Sequence, residues 1–156
     1  MSNGTGNAKK SKLVKLGALV VFLLAFIAIM ALVLASVQKK SADVAILNEL
    51  SQARKQAELY VDANNRSYLN VCAGADVGGV PTLYSILDTV ARKYGYTLNL
   101  NERAGGQGLV SCNDTVNEWA AEAPLTKENT FFCVDFRGRA TTTIGSTLDA
   151  YDTRCE

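Results

Sequence analysis

The sequence predicts an α+β protein in which a long N-terminal helix, membrane-spanning in its first half and amphipathic in its second, packs on a small antiparallel β-sheet of about four strands. Three observations predict it. An uncharged apolar run lies near the N-terminus. A stretch without glycine or proline follows, with apolar residues recurring every three or four positions. The C-terminal part then alternates turn residues with short β-branched and aromatic segments. The chain has 156 residues, a length that suits one folded domain.

Residues 16–37 carry no charged side chain and one hydroxyl residue, Ser36. At about 1.5 Å per residue, a helix of this length crosses a hydrocarbon core roughly 30 Å thick. The run is apolar on all sides, whereas a core helix of a small domain is usually amphipathic. A cleaved secretory signal would have a shorter apolar stretch, roughly 7–15 residues, ending at a small-x-small site. The expected organisation is a cytoplasmic leader (1–15), a transmembrane helix (16–37) and an extracytoplasmic globular domain (38–156).

Lysines set the expected orientation. Lys9, Lys10, Lys12 and Lys15 precede the span, while only Lys39 and Lys40 follow it closely. This bias places the N-terminus in the cytoplasm, with the leader lysines touching anionic membrane lipid. Cysteine usage points the same way. Cys72, Cys112, Cys133 and Cys155 all lie after the span, and an even number outside the cytoplasm reads as two disulfides, with three connectivities open.

Beyond the span, Ile46, Leu50, Ala53, Ala57 and Tyr60 share one helical face, with Leu47 and Val61 beside them. Asp43, Asn48, Glu49, Gln52, Lys55 and Glu58 mostly take the other faces. One continuous helix over residues 16–64 is therefore expected, about 70 Å long. Residues 74–79 read as a flexible glycine-rich loop, since no phosphate-binding pattern is present. Pro81 suits a helix first turn, and Leu83, Ile86, Leu87, Val90 and Tyr94 keep helical spacing up to Gly95. Short strands are expected at 108–112, 118–125, 130–136 and 139–144, with a tail at 145–156 pinned by Cys155.

The chemistry that the sequence omits is equally informative. There is no histidine, so a catalytic triad or an imidazole metal site is excluded, and no Cys-x-x-Cys pair suggests zinc. No catalytic residue, cofactor or metal is expected, and no enzyme class is recognisable. A net charge of +1 with mixed signs gives no nucleic-acid footprint. Asp135 is the least ordinary carboxylate, with a turn or surface role expected. Trp119, Phe131, Phe132 and Phe136 are expected in the core rather than on a ligand-stacking surface. Asn65-Arg-Ser and Asn113-Asp-Thr match the short glycosylation sequon.

Two segments carry a resemblance. Ser41-Ala-Asp-Val-Ala-Ile-Leu-Asn-Glu-Leu-Ser-Gln-Ala-Arg-Lys-Gln-Ala-Glu-Leu-Tyr, followed by Asn65-Arg-Ser-Tyr and Cys72, resembles the second half of the long helix and the next loop in type IV pilins and the pseudopilins of type II secretion. Phe132-Cys-Val-Asp-Phe-Arg-Gly-Arg resembles a strand and turn of the same group. Together the matches cover about residues 36–72 and 112–155. The resemblance implies a filament or pseudopilus subunit whose partners are other pilin-like subunits and a prepilin peptidase. It also implies the pairing Cys133–Cys155 with Cys72–Cys112, because a terminal loop in such domains is often tied to a late strand. The N-terminus departs from the family pattern of a glycine before the apolar run and a glutamate soon after. Counting back from Asp43 puts that glycine on Lys10 and that glutamate on Lys15. Gly17 is the nearby glycine, so processing is expected between Gly17 and Ala18. The alternative is an uncleaved single-pass anchor whose outer domain binds a partner.

Overall fold

The computed structural model describes residues 6–101 and 104–156, with side chains from residue 19 onward except at 35. Helix α1 spans Gly6–Ala63. The chain divides into two compact units, Met1–Lys40 and Ser41–Glu156.

In the first unit, the described part of α1 is long and apolar enough to cross a membrane. Its described large apolar side chains from Leu19 to Leu34 are about half to three-quarters exposed, as with Phe22 at 72% and Leu32 at 74%.

In the second unit α1 behaves differently. Ile46, Leu50, Ala53 and Ala57 are fully buried and Tyr60 nearly so, which makes the apolar stripe read from the sequence the packed face. Two side chains of α1 tie it to the sheet. Asp43 accepts hydrogen bonds from the Thr126 backbone N–H (2.7 Å) and hydroxyl (3.0 Å). Arg54 donates to the Gly138 carbonyl at 2.9 Å.

Helix α2 (Tyr84–Tyr94) ends at Gly95, as the sequence indicates, but begins three residues after Pro81. Pro81 instead offers its carbonyl to the Gln56 side chain at 2.7 Å. The glycine-rich stretch expected to be a flexible loop contains a tight turn. Val77 and Val80 exchange both backbone hydrogen bonds, and Gly78 and Gly79 turn between them at φ 57° and 79°. Two consecutive positive φ values suit a two-residue hairpin, and glycine adopts them without steric cost.

The sheet has five strands rather than four and is mixed rather than antiparallel. Its strands β1 (Thr97–Leu100), β2 (Leu109–Asp114), β3 (Trp119–Pro124), β4 (Thr130–Asp135) and β5 (Ala140–Ile144) lie in chain order. β1 pairs parallel with β2, and the remaining neighbours are antiparallel. The fold class stands, with the strand count and the edge pairing corrected.

Every residue of β3 and β4 is buried, because both faces of the sheet are covered. Side chains alternate along each strand. Val110, Cys112, Trp119, Ala121, Ala123, Phe132 and Val134 join the α1 and α2 side chains in the main core. Ala120 and Cys133 point the other way and pack with Leu148 and Cys155 of the C-terminal tail. Cys72 is bonded to Cys112, and Cys133 to Cys155. One bridge therefore lies in each layer.

Candidate functional site: an apolar helix and a tail-covered domain

Under the tail, polar side chains of the sheet surround the small apolar cluster of Ala120, Cys133, Leu148 and Cys155. Ser111, Asn113, Glu122 and Asp135 are all at least 98% buried, and the strand register places them on neighbouring strands, with Ser111 opposite Glu122. A buried polar group must be hydrogen-bonded to be tolerated, and here each carboxylate or amide is matched to the tail. Glu122 accepts from the Ser146 hydroxyl (2.5 Å), the Thr147 N–H (2.8 Å) and the Thr147 hydroxyl (3.1 Å). Asn113 donates through Nδ2 to the carbonyls of Asp149 (3.0 Å) and Asp152 (2.8 Å). Its Oδ1 is buried without a hydrogen-bond partner.

Asp135 is more than a surface carboxylate. One oxygen accepts from the backbone N–H groups of Arg137 and Arg139, shaping the β4–β5 turn, and the other accepts from the Cys155 N–H at 3.3 Å. Arg139 also donates to the Cys155 carbonyl. The terminal disulfide is thus one of several ties holding the tail. Of the turn or surface role expected for Asp135, the turn is present, whereas the side chain is buried rather than at the surface and its second role at Cys155 emerges only from the fold.

At the end of the tail, Glu118 pairs with Arg154 at 2.9 Å and accepts from the Thr153 hydroxyl at 2.7 Å. These two hydrogen bonds, Arg154 first, hold the Glu118 carboxyl below its ordinary pKa. A depressed carboxylate contributes stability that is present above its unfolded value and lost as pH falls through the folded one. Acidification below the usual carboxylate range is therefore expected to loosen residues 153–156 first. Protection of the tail amides, taken relative to the intrinsic exchange rate at each pH, should fall on acidification, and Glu118→Gln should lower the protection of residues 153–156 already at neutral pH.

A concavity of about 350 Å³ lies where α1 ends, lined by Tyr60, Asn64, Ser67 and Asn70 among others. Two of its polar side chains hold the chain in place: the Tyr60 hydroxyl donates to the Leu69 carbonyl at 2.9 Å and Asn64 Nδ2 to that of Ser67 at 2.9 Å. Among the described residues no three His, Cys, Asp or Glu side chains gather as a metal site.

The other residues singled out by sequence are distributed as follows. Trp119 and Phe131 are 1% exposed and Phe132 6%, so they are core side chains. Phe136 is half-buried, with the Arg137 guanidinium 5.4 Å from its ring centre. Asn65 is exposed, whereas Asn113 is fully buried and unavailable for modification in the folded domain. Gly17 and Ala18 fall within α1, with side chains outside the described residues. Glu122 and Asn113 were not legible as structural anchors, because nothing local marks them.

A long N-terminal apolar helix, and its continuation packed on a small disulfide-bearing sheet, define an α+β protein compatible with a pilin-like fold. No family model, curated protein or solved structure matches the chain.

Proposed function

We propose that the chain is a type IV pilin-like subunit, of a minor or specialised kind, in a surface filament or secretion pseudopilus. It works without catalysis, by helix packing and by display of the C-terminal domain. The observation that carries this reading is the contrast along α1. Residues 19–34 expose apolar side chains on every side, while the continuation from Ile46 to Tyr60 is committed to its own sheet. Such a helix is soluble in lipid and equally suited to a bundle of like helices. The N-terminus is cytoplasmic and the domain extracytoplasmic in this reading, supported by the lysine asymmetry and by two disulfides, which persist in oxidising compartments.

A second reading is an uncleaved membrane anchor whose outer domain binds a partner. It is favoured by the lack of any acidic residue in 16–37 and by Lys15, which is tolerated at a cytoplasmic membrane face but costly in an apolar filament core. Cleavage after Gly17 by a prepilin peptidase would remove that lysine. Under the filament reading, intact-mass measurement of sheared surface material is expected to find a chain beginning at Ala18, with the peptidase and assembly partners expressed. Full-length protein confined to membranes under those conditions selects the anchor.

A further inference from the structure

The second unit has two ends, and its strands assign residues to them. Asp43 of α1 is bound to Thr126 in the β3–β4 loop. The same end carries Ile144, which pairs with Thr130 at the start of β4, and Gly145, whose N–H donates to the Asn129 carbonyl. It also carries the start of β1, since Thr97 lies opposite Leu109 and β2 runs antiparallel to β3. The α2–β1 turn, with Lys93, Tyr94 and Tyr96, is therefore on this rim. The Asp43 carboxylate contributes to raising the Tyr96 hydroxyl pKa, second to burial, which agrees with that placement.

The rim has an unusual make-up for a soluble edge. Ile144 is 84% exposed and Val44, next to Asp43, 57%. Lys93 and Lys127 are exposed, and Tyr94 and Tyr96 are half-exposed with ring centres 6.2 Å apart. The Lys93 ammonium lies 5.5 Å from the centre of the Tyr94 ring. Tyrosine, lysine and isolated large apolar side chains are what a membrane–water interface selects: rings sit at headgroup level, ammonium groups meet phosphates, and aliphatic tips enter the acyl boundary. The opposite end, with Val116 in the β2–β3 turn, lies about 20 Å away along six-residue strands.

Chain connectivity supplies the occupant. Ser41 opens this unit and is four residues from Val37, the last residue of the apolar run, so the two are at most about 14 Å apart in any conformation. If 16–37 spans a bilayer, the rim that holds Asp43 is the part of the domain tethered to its surface. We propose that this rim is a membrane-surface contact, with Lys93 and Lys127 on lipid phosphates, Tyr94 and Tyr96 at headgroup depth and Ile144 at the acyl boundary. The contact orients the domain before any assembly. It rests on the membrane-spanning reading of the apolar run.

The test uses the full chain in vesicles of phosphatidylcholine and phosphatidylglycerol, with bromine carried on the shallow part of the acyl chains. Three tryptophans are introduced singly, at Ile144→Trp, Val116→Trp and Phe26→Trp, and each is read against the native Trp119 background. Ile144→Trp is expected to emit further to the blue and lose roughly half of its added signal, as for a ring seated about 5–10 Å into the boundary. Val116→Trp should be unquenched and Phe26→Trp quenched. Adding Lys93→Glu and Lys127→Glu should restore most of the Ile144→Trp signal. An unquenched Ile144→Trp beside a quenched Phe26→Trp overturns the surface contact alone, and if its emission is also blue-shifted, the rim is covered by a second copy instead. Equal quenching at Ile144 and Val116 overturns the assigned orientation. An unquenched Phe26→Trp defeats both the contact and the membrane-spanning reading.

Discussion

Leu50→Asp is expected to leave the Ser41–Glu156 unit unfolded, whereas Glu49→Ala should change its stability little. Leu50 sits in the middle of the α1 stripe with no exposed surface, among Ile46, Ala53, Leu87 and Val90 of the same core. Truncating a buried leucine costs about 2–5 kcal/mol. An unpaired carboxylate in its place adds several kcal/mol more, or must take up a proton to stay there. The sum approaches the whole stability of an ordinary domain, about 5–15 kcal/mol. Glu49 is one residue away but on the flank of the stripe. The sequence placed it in solvent, and it is in fact half-buried. Its truncation removes only part-covered methylenes, and alanine is the better helix former. Thermal unfolding of the two variants in the soluble Ser41–Glu156 fragment decides the matter. Equal midpoints would mean that the stripe does not hold the sheet.

The contrast between these neighbours shows which features of the fold were legible. The stripe was readable because a helix buries one face at a period of 3.6, and no other element could imitate that period over fifteen residues. The second helix and four of the strands were readable for similar reasons, bounded by Gly95, Gly108 and Gly138. β1 was not. Thr97-Leu-Asn-Leu is four residues long, too short for alternation to be distinguished from chance, and its parallel pairing with β2 depends on a return of the chain that no local signal marks. The polar layer was hidden for a different reason. In Trp119-Ala-Ala-Glu-Ala-Pro, the alternation marks Glu122 as the solvent side of a half-buried strand. It is buried because the tail folds over it, and the tail folds there partly because Glu122 offers Ser146 and Thr147 a carboxylate. Such mutual dependence between residues 24 and 25 positions apart cannot be read from either segment alone. Gly105 belongs to the same layer. A β-carbon built there would come within 2.3 Å of the Ser146 hydroxyl and 2.6 Å of Glu122 Oε1, so the glycine is required by the closeness of the tail.

The two disulfides should differ when removed, because one closes the apolar core and the other closes a layer with other ties. In the chain-entropy account, a loop of the Cys72–Cys112 size restrains the unfolded chain by about 4 kcal/mol and one of the Cys133–Cys155 size by somewhat more than 3. The corresponding separations are 40 and 22 residues. On that basis alone the two losses would be similar. The fold separates them. Cys72 and Cys112 are both fully buried in the main core, and the loop they close contains α2 and β1, which have to be in place for the core to be complete. Replacing both by alanine is expected to lower the unfolding midpoint of the whole domain by roughly 10–20 °C. Cys133→Ala with Cys155→Ala leaves Glu122, Asn113, Asp135 and the Glu118–Arg154 pair still holding the tail. Those ties can open locally while β1 to β4 remain folded, so part of the loss should appear as fast amide exchange and proteolytic nicking in 145–156 rather than as a lower global midpoint. Calorimetry paired with exchange on the two double variants tests this partition. If removing the terminal bridge lowers the global midpoint as far as removing the core bridge does, the tail is an inseparable part of the cooperative unit. If neither removal protects the core strands differently, the two-layer account of the domain fails.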